Sequence, residues 1–253
     1  ITDLLAAARR KCPVTAAELR DRFFMEFTEL EAGLMTADPA RFPGFRASLD
    51  KVLADGTTPC GIITGIGTLG NPVGRRVGVV LSNSAFQAGA FDMASAEKFC
   101  RLLARCAAEG LPVVCFVSSG GMQTKEGAGA LFSMPVVNDR LTRFIRDHEL
   151  PVICFGYGDC TGGAQASFVT HPLVQTYYFS GTNMPFAGQV VVAAHLPRQA
   201  TLANYLSPVD GAMQGLVRHP FLPELDAELR AIDPSIPVAQ VTVDEVIAHA
   251  IRW

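Results

Sequence analysis

Apolar, β-branched runs alternate with helical stretches through the middle of the chain. The run 113–117 is bounded by Pro112 and a pair of glycines, and the run 152–155 follows Pro151. Such runs are typical of strands that are buried on both faces of a parallel sheet. Strands that alternate with helices at this spacing form parallel pairs joined by right-handed crossovers, so an α/β fold is predicted. The predicted elements are strands 113–117, 152–155 and 174–179 and helices 93–109, 128–148 and 164–170.

The stretch before these elements has a strand pattern of its own. Two runs, 61–69 and 76–81, flank the Gly- and Pro-containing turn 70–74, which predicts a hairpin. The glycines interleaved in the first run indicate bulges or close approach of another backbone. A loop of small residues, 84–92, then leads into the first long helix.

Apolar residues at helical spacing predict a helical segment at the start of the chain. Thr15 and Glu18 have the form of a capping box, and Gly33 can end the helix. Because Phe-rich helices are more often core or interface elements than cofactor sites, we interpret residues 1–45 as a packing appendage. The apolar positions in question are Leu19, Phe23, Phe27 and Leu30, and a short helix is also expected over 47–53.

The end of the chain is interpreted in the same way. Prolines and the amphipathic stretch 243–251 indicate a helical tail over 221–253 that packs on the core or on a partner. The predicted core is therefore 46–220. The whole chain of 253 residues exceeds the usual size of a single domain but is compatible with one large α/β domain and an appendage.

Composition and charge narrow the classes of function. Of the 253 residues 49% are hydrophobic and 18% charged, and the mean hydropathy of +0.26 indicates a well-buried core rather than disorder. The net charge of −3 offers no general attraction for nucleic acid or an acidic membrane. No apolar run reaches the roughly 18 residues of a membrane span, and no leader is recognised. The seven cysteines include no C-x-x-C pair, so we expect no bound metal. Free cysteines together with the lack of a recognised leader favour a protein of the reducing cytoplasm.

Two consecutive strands of the predicted sheet end in glycine turns. The turn 119–121 follows strand 113–117, and the turn 161–163 follows strand 152–155. Because the carboxyl ends of parallel strands meet at one edge of a sheet, both turns lie where open α/β folds place their chemistry. Glycine lacks a Cβ, so backbone N–H groups there can approach a ligand and stabilise negative charge on oxygen; the alternative is a pair of plain tight turns. The candidate catalytic residues are Gly120, Gly121, Gly162 and Gly163.

Other polar residues near the turns carry weaker signals. Asp159 is either an ordinary turn former or a proton acceptor, and Cys160 is a nucleophile only if a His lies beside it. His148, near a helix end, is interpreted as a cap. The five histidines show no metal-ligand spacing.

The residues around the turns resemble a known family. Over roughly residues 45–220 the chain is similar to the β-type carboxyltransferase subunit of acetyl-CoA carboxylase and its acyl-CoA carboxylase relatives. The likeness depends on the order and spacing of several short motifs. These are 119–121 with 126–127, then 161–168, 185–188 and 211–217, together with Phe86 and 97–99 upstream.

The resemblance implies a fold and an activity. The fold would be a crotonase-like spiral of ββα repeats, with acyl-CoA lying across the sheet. The family moves a carboxyl group from carboxybiotin, borne on a carrier domain, to the α-carbon of an acyl-CoA, as in the conversion of acetyl-CoA to malonyl-CoA. Two anionic oxygens then need preorganised donors, and the biotin anion itself can take the proton. The implied partners are a biotin carboxyl carrier and an α-type carboxyltransferase half that completes the site in a hetero- or homo-oligomer.

The resemblance also implies roles for individual positions. One oxyanion hole would come from the first glycine turn, the second turn would line the facing wall, and a loop before the first long helix would contact acyl-CoA. A further segment would form the floor near the thioester. The oxyanion hole would consist of Gly120 and Gly121, and the facing wall of Thr161, Gly162 and Gly163. The acyl-CoA loop would be Ala88, Gly89 and Ala90, and the floor would be Phe186, Ala187 and Gly188.

The chain departs from the family pattern in three places. Gln123 replaces the arginine of the family's Ser-Gly-Gly-Ala-Arg motif, unless Lys125 takes that place. Asp92 adds a carboxylate beside the acyl-CoA loop, where it would disfavour a CoA phosphate, and the four-cysteine zinc ribbon of the bacterial subunit is absent. The alternative functions are a biotin-independent malonyl-thioester decarboxylase or another crotonase-type acyl-CoA enzyme, and a non-catalytic subunit of a carboxylase complex.

Overall fold

The computed structural model describes residues 15–70, 74–178 and 182. Within them a six-stranded mixed sheet carries helices on both faces. Short 3-10 turns lie at Gln87–Gly89 and Thr124–Glu126, and a π-helical turn lies at Gln165–Val169. The elements are α1 Ala16–Phe23, β1 Phe24–Leu30, α2 Phe45–Ala54, β2 Ile62–Leu69, β3 Arg76–Ser82, α3 Met93–Glu109, β4 Val113–Ser119, α4 Ala128–His148, β5 Val152–Cys160, α5 Gly162–Ala164 and β6 Gln175–Tyr178.

The strands lie in the sheet in the order in which they occur in the sequence. β1, β2 and β3 are antiparallel, and β3, β4, β5 and β6 are parallel. The predicted hairpin and the predicted parallel strands are therefore confirmed. α3 and α4 supply the long crossovers between the parallel strands, as the alternation of strand and helix requires.

Strand β4 runs through the middle of the core and is buried on both faces. Val113, Cys115 and Val117 face the cluster formed with α3 and α4. The alternate residues Val114 and Phe116 face a second cluster that α1 covers. This explains why the run has apolar residues at every position instead of an alternating pattern.

Local signals set the ends of the long helices. α3 begins after Asp92, whose carboxylate accepts a hydrogen bond from Ser95 N at 2.6 Å, and ends at Gly110 in the left-handed conformation. α4 ends at Glu149, which also has positive φ. Both helices have the predicted bounds, and the helix expected over 47–53 is confirmed within α2.

The prediction of one continuous helix from Thr15 to Leu30 is wrong. The capping box of Thr15 and Glu18 is present, but α1 ends at Phe23 and the chain continues as β1, which pairs antiparallel with β2. The rings of Phe24 and Phe27 lie against positions in β2 that have no Cβ. A Cβ on Gly65 would lie 2.4 Å from the Phe27 ring, and a Cβ on Gly67 would lie 2.7 Å from the Phe24 ring. The glycines of β2 thus lie where residues of β1 approach closely, including the backbone at Thr28 O, which a Cβ on Gly65 would meet at 2.6 Å. Residues 24–30 form a strand because they pair with β2, and helical spacing of apolar residues does not reveal such long-range pairing.

The second predicted glycine loop and the predicted tail differ in how far the structure describes them. β5 continues to Cys160, so part of the predicted second glycine loop is strand. The tail 221–253 and the motifs 185–188 and 211–217 lie outside the described residues. Among the helices that the structure describes, none is long and apolar enough to cross a membrane.

Candidate functional site

The two predicted glycine turns lie side by side at the carboxyl edge of the sheet. Thr161 N donates to Ser119 O at 2.9 Å, directly after β4 and β5 end. The pairing is irregular there: between Val117 and Ser119 on β4, the partner strand advances from Gly156 to Cys160. The extra residues form a bulge in β5, and this bulge brings the second turn level with the first.

Side chains in or next to each turn lie against the glycines of the other. A Cβ on Gly121 would lie 3.6 Å from Thr161 Cγ2, and a Cβ on Gly163 would lie 2.3 Å from Met122 Cγ. Gly121 has φ +101, which L side chains rarely adopt. The two turns therefore form one continuous surface, which larger residues would disrupt.

The predicted acyl-CoA loop closes the site on its third side. Gly120 N donates to Ala88 O at 2.9 Å, and the Ser119 hydroxyl donates to Gly89 O at 2.9 Å. Phe91 N donates to Gly121 O, which forms a parallel bridge to the first turn. The structure thus brings together the predicted positions Ala88, Gly89, Ala90, Gly120, Gly121, Thr161, Gly162 and Gly163, while Phe186, Ala187 and Gly188 lie outside the described residues.

This loop is held in a strained conformation. Gln87 and Ala88 have φ of 47° and 55°, in the left-handed region that few non-glycine residues occupy. Gly89 follows with φ +68, and a Cβ there would lie 2.5 Å from Ser118 O. Strain of this kind costs about 1 to 3 kcal/mol per residue and persists only where the surroundings enforce it, commonly at functional sites.

The backbone donors of the two turns differ in availability. Gly120 N–H donates to Ala88 O, and Gly121 N–H donates to Ser119 Oγ at 3.2 Å, so both are already engaged. The amides of Gly162 and Gly163 have no acceptor among residues 15–70, 74–178 and 182. Open hydrogen-bond donors are therefore a property of the second turn, which residue types alone do not show.

Side chains next to the turns are largely engaged in structure. Lys125 Nζ donates to Gln87 Oε1 at 3.1 Å and lies 4.9 Å above the Phe45 ring, so this cation is held against the 87–89 loop. Gln123 is 3% exposed, and its Nε2 has no partner within the described ranges. Asp92 is fully buried and accepts from Gly61 N at 3.0 Å and from Ser95 N at 2.6 Å, so its carboxylate caps α3 and faces the interior.

Cys160 does not qualify as a nucleophile. Its side chain is fully buried, and its thiol donates to Val117 O at 3.4 Å. Burial raises the pKa of Cys160 to about 12, so the thiol stays protonated at neutral pH. Across the part of the chain that the structure describes, no cluster of three or more potential ligands can hold a metal ion.

Sequence reasoning missed the structural role of Glu126. Its carboxylate accepts from Met93 N at 2.7 Å and from the Thr36 hydroxyl, which ties the segment after the first turn to the start of α3 and to the N-terminal region. Burial is the main cause that raises the pKa of Glu126, and Asp92 and Asp38 raise it further. The first N–H groups of a helix have no acceptor within the helix, so the buried start of α3 needs one from elsewhere. Glu126, an acidic residue shortly after the first glycine turn, was the signal in the sequence for such an acceptor.

We expect Glu126 to make stability depend on pH. Because its pKa in the folded protein exceeds the ordinary 4.5, the folded state keeps a proton that the unfolded chain loses. The contribution is fully present below the unfolded pKa and is lost as pH rises through the folded pKa, by at most about 1.4 kcal/mol per pH unit. In Glu126→Gln this part of the slope should vanish while the part due to Asp92 remains. Urea unfolding at a series of pH values measures both slopes, and an unchanged slope in the variant contradicts the expectation.

Comparison with solved structures identifies the class of fold. Transcarboxylase 12S, solved with methylmalonyl-coenzyme A and methylmalonic acid bound, is 22% identical with a TM-score of 0.61, and the match covers 86% of this chain and 39% of that chain. The beta subunit of geranyl-CoA carboxylase from P. aeruginosa is 21% identical with a TM-score of 0.57, covering 93% and 43%. The chain thus has the crotonase-like fold of carboxyltransferases and spans less than half the length of these relatives.

A further match has a length close to that of this chain. The MdcD-MdcE hetero-dimer of Pseudomonas malonate decarboxylase matches with 16% identity and a TM-score of 0.57, covering 94% of this chain and 93% of that chain. At this identity the likeness concerns the fold.

The family follows from the sequence itself. Residues 33–227 match the family described as "Carboxyl transferase domain". The chain belongs to this family, which confirms the resemblance found in its motifs.

Proposed function

We propose that the chain is the β-type half of a biotin-dependent carboxyltransferase, which moves a carboxyl group between carboxybiotin and the α-carbon of an acyl-CoA. The observation that carries this proposal is the pair of open amides at Gly162 and Gly163, beside the first turn and a strained loop at the same sheet edge. Family membership supports the reaction class.

The chemistry requires donors for negative charge on oxygen. Loss of CO2 from carboxybiotin leaves the electron pair on the ureido group, whose oxygen carries negative charge. Transfer of the α-proton of the thioester to that anion leaves an enolate, and the enolate carbon then attacks CO2. Each anionic oxygen is stabilised by preorganised N–H groups that need no reorganisation during the reaction.

The donors of this chain fit one of the two anions. The amides of Gly162 and Gly163 would bind it directly, while Gly120 and Gly121 would form an adjoining wall that has no side chains of its own. Ala88, Gly89 and Ala90 would lie along the acyl-CoA. A second set of donors would come from an α-type half, so the active unit requires a partner as well as a biotin carrier.

Transfer of the carboxyl group from malonyl-CoA to biotin provides the test. The chain is incubated with malonyl-CoA and free biotin, alone and with candidate α-type and biotin-carrier proteins, and malonyl-CoA loss and carboxybiotin formation are followed. We expect biotin-dependent transfer that needs the α-type partner. Biotin-independent release of CO2 would assign the chain to thioester decarboxylation instead, and inactivity in every pairing would favour the non-catalytic role.

A further inference from the structure

We propose that the hydroxyl of Thr161 is a substrate-binding donor: it hydrogen-bonds the anionic oxygen that the amides of Gly162 and Gly163 receive. This inference rests on the proposed function of the same site and adds a side-chain donor to it. The role is distinct from that of the methyl group of Thr161, which lies beside Gly121.

The hydroxyl of Thr161 lacks the bond that its position normally provides. Thr161 precedes α5 with φ −94 and ψ 143, the extended conformation of an N-cap residue, and an N-cap threonine ordinarily accepts from an amide of the first turn. Here no such bond is made. Thr15, at the same position before α1, does accept from Glu18 N, so the difference does not come from the residue type.

The hydroxyl is also buried without a substitute partner. Thr161 is 1% exposed, and its Oγ1 has no hydrogen-bond partner in the described part of the chain. The nearby Ser167 hydroxyl, in contrast, donates to Gly163 O at 2.6 Å. Because buried hydroxyls are nearly always hydrogen-bonded, an orphan in the turn that also holds two open amides indicates a ligand-binding group.

A second orphan donor lies in the neighbouring turn. Gln123 Nε2 is buried and without a partner among the same residues, two positions after Gly121. Thr161 N–H is bound to Ser119 O and its Cγ2 lies against Gly121, so Thr161 belongs to both turns. Unmet buried donors destabilise the unliganded protein, and an anionic substrate would satisfy the one at Thr161.

The chain offers a pair of substitutions that separate the two roles of Thr161. Thr161→Val keeps the methyl group against Gly121 and removes the hydroxyl, whereas Thr161→Ser keeps the hydroxyl and removes the methyl group. A hydrogen bond to a charged group corresponds to roughly a 10- to 100-fold effect. We therefore expect kcat/KM for carboxyl transfer to fall by about that factor in Thr161→Val and to be largely recovered in Thr161→Ser. The affinity for malonyl-CoA should fall by less, because its thioester oxygen is uncharged before the reaction.

Stability gives a readout that does not depend on activity. Replacing an unpartnered buried hydroxyl by a methyl group removes its desolvation cost, so Thr161→Val should unfold at the same or a higher urea concentration than the unchanged chain. The matched control is Thr142→Val, because the Thr142 hydroxyl donates to Asn138 O at 2.8 Å and contacts His171. That variant should unfold at a lower urea concentration and leave malonyl-CoA affinity unaffected.

The outcomes distinguish this inference from the function on which it rests. Carboxyl transfer by the unchanged chain with equal transfer by Thr161→Val would overturn the role of the hydroxyl and leave the proposed function standing. Without transfer in any pairing, the proposed function fails, and malonyl-CoA affinity then decides the inference alone. A destabilised Thr161→Val, or an unchanged chain that binds no acyl-CoA, would also contradict it.

Discussion

Gly89→Ala is expected to destabilise the fold by about 2 to 5 kcal/mol, because it adds left-handed strain of about 1 to 2 kcal/mol to an overpacked contact of about 1 to 3 kcal/mol. The new Cβ would lie 2.5 Å from Ser118 O, a backbone atom that cannot turn aside. The loop would have to move away from Gly120, and a displacement of about 1 Å can cost about 100-fold in rate. Urea unfolding and carboxyl transfer measure the two effects.

Gly110→Ala is the matched control for this substitution. Gly110 has φ +65, nearly the same as Gly89, but a Cβ there meets no atom within 4 Å. It should therefore show the backbone strain alone, about 1 to 2 kcal/mol, and leave carboxyl transfer unchanged. Equal losses in the two variants would mean that the contact with Ser118 is unimportant.

Phe116→Ala is expected to lower the free energy of unfolding by about 3 to 5 kcal/mol. Phe116 is fully buried in β4, and its ring lies 4.9 Å from the Phe23 ring and 5.2 Å from the Phe155 ring. Removing it leaves a cavity bounded by strands of the sheet and by α1, which cannot collapse without moving both. Urea unfolding of the purified chain measures the loss.

Phe132→Ala provides the comparison on the surface. Phe132 is 74% exposed on α4, so truncation removes few packed contacts and should change stability by no more than about 0.5 kcal/mol. A loss as large as that of Phe116→Ala would show that Phe132 is covered in solution, by another copy of the chain or another protein.

Much of the fold is predictable because its signals are local. The bounds of α3 follow from Asp92 and Gly110, which act within a few residues of themselves. β1 was not predictable in this way, since its apolar spacing also fits a helix. The decision depends on pairing with β2, whose residues lie more than thirty positions further along the chain, as in the pair Leu30 and Thr64.

In the candidate site, too, features set by local residues were predictable and features set by distant residues were not. The glycine turns at 119–121 and 161–163 were predicted to share a sheet edge, and the structure places them in direct hydrogen-bond contact. Which amides are open was not predictable, because Gly120 N–H is engaged by Ala88, a residue from another loop. The orientation of Asp92 was not predictable either, since its carboxylate is turned toward Gly61 and Ser95; the conflict with a CoA phosphate stays a prediction.

The bulge in β5 makes the site sensitive to the number of residues in the chain. Thr161 lies beside Ser119 because β5 has additional residues between Gly156 and Cys160, including Gly158 with φ +59. Insertion or deletion of one residue there would carry the following amides past the first turn without changing any residue of either turn. Related chains with the same glycine motifs but a different count between strand and turn would therefore differ in the distance between their two turns.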